Sequence, residues 1–221
     1  MVSLLANIGI IFLAFYFYLR SKLGILAYQE NRKISYFIKC VFAEVLLGMI
    51  LLSFSIVIMD IRFDFRFLLF CFSAKYLDWK ITNSSIVLLA ILRFFWGSID
   101  IAQTNLLASI MIAVTLPLLV HYTKDKMSDL SQLLILVTIS IIPTILITNH
   151  VIADKSLVLT IGLMLFACGY AATFIMYHFI TDLYSLIASA NTDDLTTLKN
   201  GRTFNAKLLE IERNMQSVTV A

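Results

Sequence analysis

Long apolar runs, broken by short polar stretches, set the architecture of this chain. A membrane helix needs about 20 apolar residues to cross roughly 30 Å of hydrocarbon. Residues 2–19, 36–59, 106–122, 131–148 and 157–180 approach or meet that length. Two shorter pieces do not: 67–79 holds Lys75 and Asp78, and 81–96 holds Asn83, Ser84, Ser85 and Arg93. They read as two short tilted spans or as one re-entrant hairpin, so the chain is predicted to have five full spans plus a hairpin, or seven spans. After Ile180 polar residues enter, but Met176, Phe179, Leu183, Leu186 and Ala190 keep apolar positions three and four apart. That spacing predicts a helix continuing out of the last span, ending either as a short coiled-coil seam or as an ordinary amphipathic turn. The expected fold class is therefore an all-α polytopic membrane protein with a transmembrane domain over 1–180 and a helical linker over 181–191.

Composition sharpens the class. Of 221 residues, 60% are hydrophobic and 14% charged, and the mean hydropathy is +0.91. A soluble domain carries about 45–50% apolar and about 25% charged residues. Two prolines and seven glycines are too few for a loop-rich chain. Cys40, Cys71 and Cys168 lie inside apolar runs, without the spacing of a zinc site or a redox pair. No basic tract suggests nucleic acid. The first span lacks a charged start and a small-x-small cleavage site, and Arg20 and Lys22 follow it, so it reads as a retained span and not a signal peptide.

Loop charge orients the spans. Residues 20–39 carry Arg20, Lys22, Arg32, Lys33 and Lys39 against Glu30. Positive loops stay in the cytoplasm. The N-terminus and 60–66 are then expected outside, Lys124 and Lys126 inside, 150–156 outside, and the tail after Ile180 inside.

Some polar residues within the apolar runs call for partners. Arg93 costs about 2.5–3.5 kcal/mol at a helix centre on insertion scales. Asp60, Asp64 and Asp78 are its candidate partners. One reading joins Asp60, Arg62, Arg66 and Arg93 in an outward-facing polar pocket for an anionic ligand or a cell-envelope component. The other makes Arg93 a structural ion pair, or lets it snorkel to the interface near Trp96. Glu44 is badly placed to pair with Lys39 and calls for water or a partner on another helix. His121, His150 and His178 sit at span ends, where interfacial packing explains them. Phe15-Tyr16-Phe17-Tyr18 and Phe94-Phe95-Trp96 read as interface belts. Pro117 and Pro143 are expected to kink their helices.

The tail carries the most specific pattern. Asp193, Leu195, Thr196, Leu198, Asn200, Arg202 and Phe204 stand in the order D-x-L-T-x-L-x-N-x-R-x-F. Thr192, Asp193 and Asp194 can stop one helix and cap the next. Phe204, Leu208, Leu209 and Ile211 give an amphipathic helix, and 217–221 reads as a strand start. This stretch resembles the opening of a GGDEF domain, the module that makes cyclic di-GMP from two GTP. Thr197 and Gly201 depart from that family, which usually has Gly and Arg there. The resemblance makes 192–221 an N-terminal fragment of such a domain. It implies that Asp193, Leu195 and Thr196 couple helix to catalytic core. It assigns no catalytic residue to this chain, because the metal-binding aspartate and the GGDEF loop lie farther on. Mg2+ and GTP are cofactor and substrate expected of a complete parent domain, with none expected in this chain.

Residues 59–98 resemble, more loosely, the five-transmembrane Lyt-type receptor region found ahead of histidine kinases and GGDEF domains. Asp60, Arg62, Arg93 and Gly97 match it, and Asn7 falls at a polar position of its first span. Ser73, Ala74 and Asp78 stand where that family tends to have glycines. Together the resemblances imply the membrane sensor of a diguanylate-cyclase-like protein in the cytoplasmic membrane. It is expected to be inactive alone, to contact lipid, to pair as a homodimer through Phe179, Leu183, Leu186 and Ala190, and to take an extracellular or membrane ligand. A receptor without enzymatic activity is the alternative, and a small transporter the third choice.

Overall fold

The structure, a computed structural model, describes residues 2–25, 33–58, 61–95 and 99–191. They form helices α1 (Val2–Ile25) and α2 (Lys33–Ser53), strands β1 (Ile56–Ile58) and β2 (Ile61–Phe63), and helices α3 (Arg66–Tyr76), α4 (Trp79–Leu92), α5 (Ile99–Thr123), α6 (Asp129–Val151) and α7 (Lys155–Asn191). A 3-10 turn, Arg93–Phe95, extends α4. Among the described residues four helical stretches are long and apolar enough to cross a membrane: Ile34–Ser53, Ile99–Thr123, Asp129–Val151 and Lys155–Leu186. α1 adds a shorter apolar stretch, Leu5–Tyr18. Large apolar side chains such as Leu13, Phe42, Leu107, Leu118, Leu159 and Phe174 are exposed on the outside. Asn7, Glu44, Thr82, Ser85, Arg93 and Gln132 are buried inside. An apolar exterior around a partly polar interior is the surface of a membrane protein.

α3 is the centre of the bundle. Every residue from Phe67 to Ala74 is buried. Phe72 meets Phe15 of α1 with ring centroids 5.5 Å apart, and Cys71 Sγ lies 3.3 Å from Ser140 Oγ of α6. A helix that is apolar on all sides is enclosed on all sides. Its 11 residues and the 14 of α4 are each too short for a full crossing. The turn between them nevertheless reaches one end of the bundle, because Lys75 Nζ bonds Asp129 Oδ1 at 2.7 Å, at the start of α6. At the other end β1 and β2 pair antiparallel, with Ile56 opposite Phe63 and Ile58 opposite Ile61. Ile61, Phe63 and Phe65 are buried there. A lone two-stranded hairpin is marginal, so this one is held by the helices packed around it.

Three sequence expectations need correction. The second span was expected to run to residue 59, but its helix ends at Ser53 and the chain enters β1. Ile56, Val57 and Ile58 are apolar, so hydropathy cannot tell them from helix, while their β-branching favours a strand. α5 starts at Ile99, not at 106. The helix accommodates its polar first turns, with Thr104 Oγ1 donating to Asp100 O at 2.8 Å and Asn105 Nδ2 to Ile101 O at 3.1 Å. α6 and α7 likewise extend beyond the expected apolar runs, while α7 continues through residues 181–191 as the helix expected there. The GGDEF-like stretch 192–221, with Asp193, Leu195, Thr196, Leu198, Asn200, Arg202 and Phe204, lies outside the described residues.

Candidate functional site: an arginine-lined cavity

Arg62 sits on β2, Arg66 opens α3, and Arg93 lies just past the end of α4. These three residues, far apart in sequence, line one cavity of about 80 Å3 near the hairpin end of the bundle. The predicted pocket is thus assembled from three of its four residues; Asp60 lies outside the described ones. Asp64, Asn105, Ser109 and Thr144 add polar groups to the wall. Leu165 of α7 contributes to its apolar side.

The charges are unevenly satisfied. Asp64 Oδ1 accepts from Arg66 Nε at 2.8 Å and from the Arg66 backbone N–H at 3.0 Å. Asp64 Oδ2 has no hydrogen-bond partner among the described residues. Arg62 Nη1 is 3.4 Å from Ser55 Oγ. Arg93 is 1% exposed, and none of its three guanidinium nitrogens has a hydrogen-bond partner among the described residues. Three guanidiniums against one carboxylate leave the described wall of the cavity strongly positive. Of the partners considered for Arg93, Asp64 shares its cavity. Asp78 does not: it stands at the opposite end, where its side chain caps α4 by accepting from the Lys80 N–H at 3.0 Å. The 14 residues of α4 separate the two.

Glu44 finds its partners on other helices. Its Oε2 accepts from Ser73 Oγ of α3 at 2.9 Å and from Ser85 Oγ of α4 at 3.1 Å, while Oε1 has no partner among the described residues. Thr82 Oγ1 extends the network by donating to Ser73 Oγ at 2.8 Å. Glu44 and Ser73 also line a larger cavity of about 530 Å3 between α1 and α2, with Tyr18, Tyr36, Lys39 and Cys40 in its mostly apolar wall. At the same end, Gln132 Nε2 donates to Val120 O at 3.1 Å and to Thr123 Oγ1 at 2.8 Å, and its Oε1 takes a bond from Lys75 Nζ.

Sequence reasoning passed over Asn105, Ser109, Thr144 and Gln132, and noted Ser73 and Ser85 without giving them a partner. The signal was present as isolated polar residues in apolar helices, which face inward when a bilayer lies outside. Asn7, noted only as a polar position, is fully buried. Its Nδ2 donates to Ser3 O and Phe54 O at 2.9 Å each, and its Oδ1 accepts from the Phe65 N–H at 3.4 Å. His121, His150 and His178 are all exposed. Among the described residues no three His, Cys, Asp or Glu side chains converge on one point.

Of the expected dimer seam, Phe179 and Leu183 are half-buried against their own bundle, and Phe179 meets Phe12 at 5.7 Å between centroids. Leu186 is 66% exposed. Ala190 is helical, and its side chain is outside the described ones. Comparisons with models of protein families, with curated proteins and with solved structures find no match to the chain.

Proposed function

We propose that this chain is the membrane sensor region of a diguanylate-cyclase-like signalling protein, with α7 as the element that transmits the signal. The observation that carries this reading is the length and position of α7. It is 37 residues long, and its last described residue, Asn191, adjoins the D-x-L-T pattern that begins at Asp193. At 1.5 Å per residue such a helix extends about 55 Å, well beyond the roughly 30 Å of a bilayer core. A rigid helix can carry a rotation or tilt from the bundle into a domain that follows it. Leu165 of α7 stands in the wall of the arginine cavity, so occupancy there acts on the helix directly.

The proposed orientation puts the hairpin end outside and the α3–α4 turn in the cytoplasm. Lys75 and Lys80 flank that turn, at the same end as Lys124 and Lys126 in the α5–α6 connection. With the basic residues of 20–39, this agrees with the rule that positive loops stay inside. In a complete parent, two catalytic domains would each hold a GTP, and each 3′-hydroxyl would attack the other's α-phosphate. Pairing of two chains would then control the rate, and the exposed Leu186 is the seam position best placed to contribute.

Grafting an active GGDEF catalytic domain after Asn191, in helical register, tests the reading. Insertions of one to seven residues after Leu186 should change cellular cyclic di-GMP several-fold, with helical periodicity. Output indifferent to every insertion would remove the lever role. The chain would then fit better as a receptor acting through a separate partner protein.

A further inference from the structure

We propose that the cavity lined by Arg62, Arg66 and Arg93 binds one small oxyanion, the phosphate, sulfate or carboxylate end of a ligand. The oxyanion's role as a signal rests on the sensor reading above, whereas its binding concerns this cavity alone.

Three observations converge on that chemistry. First, Arg93 is buried with all three guanidinium nitrogens free among the described residues. A buried charge without hydrogen bonds is among the most expensive arrangements a protein can hold, and it persists where a counter-charge completes it. Second, the internal counter-charge falls short, with one carboxylate, whose Oδ2 is unpaired among the described residues, against three guanidiniums. Asp64 spends one oxygen on Arg66, in a contact of 2.8 Å, leaving Arg62 and Arg93 in positive excess. Planar guanidiniums favour oxyanions because their forked donors match two oxygens at once. Third, the space fits. A water needs roughly 10–15 Å3 of such volume, so 80 Å3 accommodates about five to eight water-sized atoms, room enough for one tetrahedral oxyanion. Asn105, Ser109 and Thr144 add polar residues to the wall, with Asn105 Nδ2 already donating to Ile101 O and Ser109 Oγ to Asn105 O, so the guanidiniums are the main donors to an oxyanion.

The wall also explains why binding would be felt elsewhere. Phe67 of α3 lines the cavity. A Cβ built on Gly169 of α7 would lie 3.3 Å from the Phe67 ring, so the two helices touch closely just beneath the site.

The test uses the full chain in nanodiscs. In zwitterionic lipid, inorganic phosphate or sulfate is titrated against chloride at matched ionic strength while the thermal unfolding midpoint is followed. A parallel arm replaces the free anions with phosphatidylglycerol in the disc. Wild type should be stabilised in a saturable way. Arg93→Met and Arg62→Gln should each weaken the apparent affinity about 10-fold or more, the scale expected for charge-assisted hydrogen bonds. Arg93→Met should also unfold at a higher temperature than wild type when no oxyanion is present. Stabilisation only in the phosphatidylglycerol arm, with the same loss in both variants, keeps the site and makes a lipid headgroup the source. Stabilisation that survives both variants puts the anion elsewhere and overturns the proposal. So does no response in either arm, above all if Arg93→Met and Asp60→Asn destabilise non-additively, as an internal Arg–Asp pair requires. If Arg93→Met does not fold, Arg62→Gln decides. No cyclic di-GMP is read, so failure of binding and failure of the sensor role remain distinct.

Discussion

Asn7 shows how much one buried amide can organise in a bundle. It satisfies the Phe54 carbonyl, which the end of α2 leaves without a helical donor, and the Phe65 N–H just ahead of α3. In lipid such backbone groups have no water to turn to. Asn7→Leu, similar in branching though larger, removes these bonds and the one to Ser3 O, so it should cost about 1–2 kcal/mol. Thermal unfolding in nanodiscs measures this, and an unchanged midpoint would mean that water or another group takes over. Asp154 is a second small device, outside the membrane spans. Its carboxylate is held below its ordinary pKa by the Ser156 hydroxyl at 2.7 Å and then by the backbone N–H groups of Leu157 and Ser156. A carboxylate whose folded pKa is depressed stabilises fully above its unfolded value, about 3.9. That contribution disappears as pH falls through the folded value. Amide exchange in the first turn of α7, corrected for the intrinsic pH dependence, should therefore lose protection below about pH 4. Asp154→Asn should remove most of that pH dependence. If the same loss persists in the variant, another group is responsible.

At the level of elements, packing depends on close approaches that residue type alone does not advertise. Gly48 of α2 lies against Leu89 of α4: a Cβ there would sit 2.9 Å from Leu89 Cδ2 and closer still to Cδ1. Leu89 is itself buried and has little room to swing aside. Small residues let membrane helices approach in this way. Gly48→Ala should therefore destabilise by about 1–3 kcal/mol, as overpacking does. Leu89→Ala in the same chain should recover part of the loss, and a double-mutant cycle with no coupling would refute the contact. The long elements were legible in the sequence because a bilayer demands long apolar runs, and α2, α5, α6 and α7 answer to that rule. The hairpin was not legible. Ile56–Ile58 continues the apolar run of α2, and only the pairing with Ile61–Phe63 makes it a strand. The pieces 67–79 and 81–96 were recognised as unusual. That the first becomes the buried centre follows from contacts with helices distant in sequence, which no local pattern records.

For the whole molecule, charge and burial together decide what the arginine cavity can be. Arg62, Arg66 and Arg93 were legible as a group because arginine in apolar sequence has to be explained. Asn105 and Thr144 were not, because a single amide or hydroxyl on a membrane helix has a ready local outlet in its own backbone. Only the assembled bundle brings them to the same wall. The cavity lies at the hairpin end, while the basic turn with Lys75 and Lys80 lies at the opposite one. If the bilayer reads those lysines as it reads other loops, the cavity faces outward and the end of α7 faces the cytoplasm. Single cysteines decide this in a background without Cys40, Cys71 and Cys168. Ala153→Cys, in the exposed α6–α7 connection, should react with a membrane-impermeant maleimide on intact cells. Lys126→Cys, in the exposed α5–α6 connection, should react only after lysis. The reverse pattern would invert the molecule, open the arginine cavity to cytoplasmic anions, and place Asn191 where no cytoplasmic GTP could reach a domain attached to it.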